Sequence, residues 1–250
     1  MRDILVSSGA AKPVPDLREN LKVMQEKELP EACVFDAYGT LFDYAAAAAR
    51  FGETLGPRWE LLSALWREKQ LQYTWLRTIQ DKHADFWQVT GDALDFALEA
   101  LGIDAAGLRG NLMDAYWKLD AFPEVADVLE RLKRKRIKAA ILSNGSPEML
   151  RSAVSQAGLT GLLDEVLSVE EVGVYKPHPK VYQLAVDRLR LPRESIWFLS
   201  SNAWEAWAAS AFGMRVVWCN RYSQPRERLP GLPDHQVASL HDLPFLDRHW

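Results

Sequence analysis

A chain of 250 residues holds one large domain, or a core domain with a smaller insert. Hydrophobic content of 48% and charged content of 26% describe an ordinary globular protein, and a net charge of −4 gives no basic field of the kind nucleic-acid binders show. No apolar run approaches the roughly 18–20 residues needed to span a bilayer, and the only early apolar run, Ile4-Leu5-Val6, is too short for a secretory signal, so a cytoplasmic protein is expected. The two cysteines, Cys33 and Cys219, sit inside apolar strand-like runs and read as buried thiols, without disulfide or metal spacing.

Residues 1–30 read as an amino-terminal extension. Ser7-Ser8-Gly9, Pro13 and Pro15 suggest a loose leader, and residues 16–28 a short charged helix. The first core element is residues 32–43, Ala-Cys-Val-Phe-Asp36-Ala-Tyr38-Gly39-Thr40-Leu-Phe-Asp43. An apolar run of β-formers ends there on a carboxylate, with a Gly-Thr turn directly after it. A short apolar run bounded by turn signals is usually buried in a parallel sheet. A carboxylate at its carboxyl end is either the first polar residue of a loop, a helix N-cap, or a ligand-facing group at the place where open α/β sheets bind.

An alanine-rich, helix-prone connector follows. From residue 57 to 82, Trp59, Leu62, Leu65, Trp66, Leu71, Trp75, Leu76 and Ile79 recur at three- and four-residue steps, which predicts an amphipathic helix or a kinked pair. Helical periodicity continues over residues 92–101 and 108–119, so residues 47–122 read as an all-helical block. Beyond Pro123 the pattern alternates. Helices are predicted over 124–135, 147–157, 179–189 and 203–212, and strands over 137–142, 165–169, 195–199 and 215–219. Such alternation argues for βαβ units. The predicted architecture is α/β: a doubly wound parallel-sheet core of residues 31–46 plus 123–250, with a helical cap of residues 47–122 inserted after the first strand.

Three further polar clusters follow predicted strands: Ser143-Asn144-Gly145, Tyr175-Lys176-Pro177 and Ser200-Ser201-Asn202-Ala203-Trp204-Glu205. Strand ends of a parallel sheet face one way, so these groups can share a crevice with Asp36. Taken singly, Ser143 or Ser200 is commonly a helix N-cap and a lysine like Lys176 a solvated one. Four clusters in order are harder to dismiss.

With these motifs in place, residues 32–219 resemble the haloacid dehalogenase superfamily. The cap segment Ala64-Leu65-Trp66-Arg67, Lys69-Gln70-Leu71 and Tyr73-Thr74-Trp75-Leu76-Arg77 resembles the L-2-haloacid dehalogenases within it. Most of the superfamily are phosphatases, and the residues separate the two. A phosphatase of this kind uses a second Asp, two positions after the nucleophile, to protonate the departing alkoxide. That position is Tyr38 here, and a phenol of pKa about 10 is a poor acid for the task. A halide leaves without a proton. The acidic pair that holds Mg²⁺ in phosphatases is replaced by Ser201-Asn202, which is neutral.

The resemblance implies a metal-independent, cofactor-free hydrolysis of short 2-haloalkanoic acids with inversion at C2, through an ester on Asp36. It implies that Lys176 favours the ionised form of Asp36, and that Thr40 and Ser143 bind the substrate carboxylate. Ser200 and Asn202 would position Asp36, Lys176 or the hydrolytic water. Arg67 would stabilise the departing halide, with Asn144 sharing that cradle. Tyr38, Leu71, Phe86 and Trp204 would line the pocket for the substrate's alkyl group, ordinary core being the alternative, evenly balanced for Leu71. Relatives commonly carry Asp where this chain has Glu205, so Glu205 either orients Lys176 or activates water. His178, between two prolines, reads as a solvated helix-start residue. The resemblance also implies a homodimer, with no nucleic-acid or membrane partner. A phosphatase or phosphonatase with altered motifs and a catalytically silent binding protein are the competing readings.

Overall fold

The computed structural model describes residues 29–104 and 106–246. Residues 1–28 of the expected amino-terminal extension, with its helix over residues 16–28, therefore lie outside the described residues. The first strand, β1 (Ala32–Phe35), is buried along its whole length. It pairs in parallel with β2 (Lys138–Ser143) on one side and β4 (Ile196–Ser200) on the other. With β3 (Glu165–Ser168), β5 (Arg215–Cys219) and β6 (His235–Val237), the sheet runs in the order β3-β2-β1-β4-β5-β6, every pair parallel. A strand flanked on both sides and covered on both faces has no solvent face for a polar residue. That is why Ala-Cys-Val-Phe carries none.

The chain moves outward from β1 through β2 to β3, then returns to the opposite side of β1 as β4. The reversal places a crevice beside the carboxyl end of β1, and Asp36 is the next residue. The loops after β2 and β4 open into the same crevice and deliver Ser143, Asn144, Ser200 and Asn202.

The sheet's edge strand β6 was not expected. His235-Gln236-Val237 is short and only Val237 is apolar, so its sequence has no strand signature. The edge of β5 makes it a strand: Val216 N–H donates to Asp234 Oδ2 at 2.8 Å, and Asp234 N–H donates to Val216 O at 2.9 Å.

Between β1 and β2 come α1 (Ala46–Ala49), α2 (Gly52–Leu55), α3 (Arg58–Ile79), α4 (Phe86–Ala100) and α5 (Leu108–Tyr116), then α6 (Val125–Arg134) against the sheet. Of the two readings for residues 57–82, the structure has one continuous helix, α3. It buries Leu62, Trp66, Gln70 and Thr74, a stripe at steps of four in which half the members are polar. Helix α4 begins six residues before the predicted position. Val89, Thr90 and Gly91 are weak helix formers that hide its first turn, but Asp85 caps it by accepting from Gln88 N–H at 3.0 Å. Helix α5 ends at Tyr116 rather than 119.

In the core, α7 (Pro147–Gln156), α8 (Pro179–Leu189) and α9 (Ala203–Phe212) match their predicted spans to within a residue. The caps differ from the simplest expectation. Ser146, not Ser143, caps α7, and Asn202, not Ser200, stands at the N-cap of α9 without using its side chain there. Both β-strand-end residues are thereby left for other work. His178 caps α8, its Nδ1 accepting from Lys180 N–H at 3.2 Å, as a helix-start residue should.

Phe198 of β4 is fully buried beneath this crevice, edge-on to Tyr182 at 5.7 Å. Phe198→Ala is expected to cost about 3–5 kcal/mol in urea unfolding, with the denaturant slope unchanged.

Candidate active site

Local turn chemistry brings Asp36 to the surface of the crevice. Asp36 N–H extends the β1–β4 ladder by donating to Leu199 O at 2.9 Å. The chain then folds back, with Leu41 and Phe42 N–H both on Ala37 O at 2.9 Å. Gly39 makes this turn with φ +92°, and a Cβ there would come within 3.1 Å of the Tyr44 ring. The tight return brings Thr40 over the carboxylate.

Three side chains hold Asp36, which is 5% exposed. Oδ2 accepts from Thr40 Oγ1 at 3.0 Å and from Asn202 Nδ2 at 2.8 Å, and Oδ1 accepts from Lys176 Nζ at 2.9 Å. Thr40 Oγ1 in turn accepts from Ser201 N–H at 2.8 Å, which fixes its proton toward Asp36. Lys176, 1% exposed, also donates to Leu142 O and pairs with Glu205 Oε1, both at 2.5 Å. Glu205 has no solvent exposure, and its other oxygen accepts from Ser200 Oγ at 2.8 Å. The role left open for Glu205 thus has a geometric content: its longer side chain reaches the lysine.

Two carboxylates share one ammonium. Burial penalises the charged form of Lys176, but the facing Asp36 and Glu205 charges outweigh it, and its pKa is raised. Burial, followed by the Asp36 charge, pushes Glu205 up to about 7 despite the lysine. The shared contribution is the Asp36 charge, which favours a proton on both neighbours, while burial itself acts in opposite directions on the lysine and the glutamate.

Arg67 enters from α3. Its Nη1 donates to Gln70 Oε1 at 2.8 Å and its Nη2 to Asn202 Oδ1 at 3.4 Å, while the guanidinium lies 4.8 Å from the centre of the Tyr44 ring. Nε is buried without a hydrogen-bond partner. The Asn202 amide therefore spans the gap between Asp36 and Arg67, donating to one and accepting from the other. A pocket of about 210 Å³ opens here, lined by Gly39, Arg67, Leu71, Asn202, Trp204 and Tyr222 among others. Leu71, half-buried, lines this cavity.

Tyr38 and Phe86 stand behind this wall. Their rings lie 5.7 Å apart, and Tyr116 stacks on Tyr38 at 5.5 Å. Burial above all, with Tyr116 and Asp36 nearby, raises the Tyr38 pKa well above that of a free phenol. A Cβ on Gly145 would fall 2.8 Å from the Tyr38 hydroxyl, so only glycine lets the ring approach. Ser143 Oγ accepts from Gly145 N–H at 3.1 Å, and Asn144 Oδ1 accepts from Lys176 N–H at 3.1 Å. The Asn144 carbonyl is thereby turned to the lysine loop.

The sequence reading passed over Tyr44, Gln70 and Tyr116. Gln70 had one available signal, its position three residues after Arg67 on a helix, where side chains meet. Tyr44 and Tyr116 had none, because their approach depends on the turn at Gly39 and on the packing of α5.

The family model of haloacid dehalogenase-like hydrolases matches residues 30–213. The chain is 47% identical to (S)-2-haloacid dehalogenase 1 of Pseudomonas sp. (strain CBS-3), over 86% of this chain and 95% of that one. It is 46% identical to (S)-2-haloacid dehalogenase 4A of Burkholderia cepacia, over 85% and 92%. Among solved structures it is similar to the L-2-haloacid dehalogenase of Xanthobacter autotrophicus with chloropropionic acid covalently bound, at TM-score 0.80 and 36% identity over 87% and 98% of the chains. The chain belongs to the haloacid dehalogenase-like hydrolases, in the branch of the (S)-2-haloacid dehalogenases.

The raised Glu205 pKa has a definite sign. The folded protein holds a proton that the unfolded chain releases near 4.5, so this group weakens the fold as pH rises from about 4.5 to 7 and adds no further change above that. Relative to Glu205→Gln, the wild type should lose stability across that window, by on the order of a few kcal/mol, in parallel urea titrations at pH 5 and 7.5.

Proposed function

We propose that this protein hydrolyses short-chain L-2-haloalkanoic acids to 2-hydroxy acids of inverted configuration, without a metal. The observation that carries this reading is the line Asp36–Asn202–Arg67: a fixed carboxylate and a guanidinium held at opposite ends of one amide across a small pocket. An Asp36 oxygen attacks C2 from behind, the C2–halogen bond breaks, and the halide leaves toward the guanidinium with the bonding electron pair. Water then adds to the ester carbonyl of Asp36 and the acyl–oxygen bond breaks. C2 keeps the oxygen it gained in the first step, so the inversion made there is retained. Glu205, bonded to the Lys176 ammonium and the Ser200 hydroxyl, keeps that ammonium beside Asp36 through this step. Ser143 binds the substrate carboxylate, whereas Thr40, expected to share that role, has its one proton committed to Asp36 and holds the nucleophile in place; residues 47–122 serve as the cap over a core of residues 31–46 and 123–250.

Residue chemistry supports metal independence. The Lys176 ammonium already stands between the two carboxylates as their counter-ion, and Ser201 and Asn202 supply no further charge. The buried, neutral Tyr38 phenol does not suit the acid role a phosphatase needs. The two buried free thiols suit a reducing cytoplasm.

We further infer that two copies pair through the carboxyl-terminal half of α3. Ile79 is 81% exposed and Leu76 is also exposed, beside a cleft of about 720 Å³ whose apolar wall includes Trp75, Pro177, Phe212 and Pro230. Exposed apolar surface of this extent is typical of an interface. Light scattering should give twice the chain mass for the wild type and the chain mass for Ile79→Asp; equal masses would remove this pairing.

The decisive assay offers the two enantiomers of 2-chloropropionate in the presence of EDTA, beside p-nitrophenyl phosphate with Mg²⁺. Chloride release from the L-enantiomer alone, abolished in Asp36→Asn without loss of fold, is the expected result. Metal-dependent phosphate release without chloride would overturn the reading, and activity in neither assay would point to a binding role.

A further inference from the structure

Arg67 is the only group that the cap extends to the Asp36–Asn202 pair by hydrogen bonding among the described residues. How it is held decides how much positive charge it presents to the pocket. Its firmest bond, 2.8 Å, goes to Gln70, which is 1% exposed and uses both ends of its amide. Nε2 donates to Thr90 Oγ1 at 2.7 Å, and the Tyr116 hydroxyl lies within 3.2–3.3 Å of both amide atoms.

The direction of this amide is not arbitrary. Thr90 Oγ1 donates its single proton to Phe86 O at 2.7 Å, so toward Gln70 it can only accept. That places the Gln70 NH₂ on Thr90 and leaves the carbonyl oxygen for Arg67. Trp66 Nε1 donates to Thr90 O at 2.8 Å and pins the same turn of α4. Two chains of donors therefore run outward from Arg67, one through Gln70 and Thr90 to Phe86 O and the other through Asn202 to Asp36.

The chemistry of the acceptor matters as well. A neutral amide oxygen orients a guanidinium without cancelling its charge. A carboxylate at the same 2.8 Å, in a site this dry, would neutralise most of the field that a departing anion experiences. The Tyr44 ring face acts in the same neutral way on the other side.

We propose that Gln70, oriented by Thr90, is a positioning residue for dehalogenation: it aims Arg67 at the leaving halide while preserving the full guanidinium charge. This rests on the reading of Arg67 as the halide-side group. The test compares the single-turnover release of bromide and chloride from the L-2-halopropionates by wild type, Gln70→Glu, Thr90→Val and Arg67→Lys. Chloride is the poorer leaving group and depends more on anion stabilisation.

Gln70→Glu should slow chloride release about tenfold, short of the 10²–10³-fold lost with a direct donor, and bromide release about threefold or less. KM should stay within about twofold, so the loss falls on kcat. Thr90→Val, nearly isosteric, should raise the bromide-to-chloride ratio in the same direction by a smaller factor. A merely structural role would slow both halides equally and leave the ratio untouched. If Arg67→Lys shifts the ratio but neither Gln70→Glu nor Thr90→Val does, the Gln70 inference is overturned and the Arg67 reading stands. If Arg67→Lys leaves the ratio at the wild-type value, the Arg67 reading itself fails. Should Gln70→Glu not fold, as judged by circular dichroism, Thr90→Val decides alone.

Discussion

The ammonium of Lys176, buried between the carboxylates of Asp36 and Glu205, is the interaction on which the rest of this structure depends. Each charge comes from a different element: the end of β1, the loop after β3 and the first turn of α9. None could stay ionised in such a place alone, since an unpaired buried charge costs several kcal/mol. The sheet must therefore close with all three in register, and the register β1–β4, Phe35 opposite Leu199, places Asp36 level with Ser200. A buried ion cluster is weak evidence of stabilisation compared with an apolar core. The proposed reaction gives it a chemical use, because a carboxylate acting as nucleophile needs a nearby cation that is not itself consumed.

Helix α3 contributes what the strand-end loops do not. Those loops supply hydroxyls, amides and the lysine, but among the described residues the one guanidinium lining the pocket reaches it from α3. The polar stripe of that helix, Gln70 and Thr74 among buried Leu62 and Trp66, would be a defect in an isolated packing helix. Each is satisfied: Gln70 by Arg67, Thr90 and Tyr116, and Thr74 by Leu71 O at 2.7 Å. Buried polar groups of this kind are high-stakes, since fully paired they specify one arrangement and half-paired they destabilise. The rings of Tyr38, Phe86 and Tyr116 form one buried aromatic cluster directly after Asp36 in the fold, with Tyr38 between the other two.

Departures from a phosphatase plan form one consistent set. Removing the second aspartate puts a phenol there, whose ring needs the space that Gly145 leaves. Replacing the acidic pair by Ser201-Asn202 frees a backbone N–H for Thr40 and an amide for Asp36 and Arg67. Both changes lower the negative charge of the site or supply a donor, which suits the singly charged substrate proposed above. Glu205 is a separate departure, from the Asp that relatives commonly carry: it keeps the charge and meets both Lys176 and Ser200.

Much of this was legible in the residues. Alternating strand and helix patterns defined the parallel core, because period and turn chemistry are local properties. The strand-end positions of Asp36, Ser143 and Ser200 followed from one rule, that the ends of parallel strands face the same way. What sequence could not decide lay in contacts between distant segments. Strand β6 exists only because β5 offers an edge, and the first turn of α4 only because Asp85 caps residues of weak propensity. Whether Arg67 faced solvent or the site, and whether Gln70 mattered at all, depended on α3 being one unbroken helix and on Thr90 arriving from α4. Residue types and local spacing announced which chemistry was available. Only the three-dimensional packing, which sets distance, burial and the direction of each proton, determined which groups act on one another.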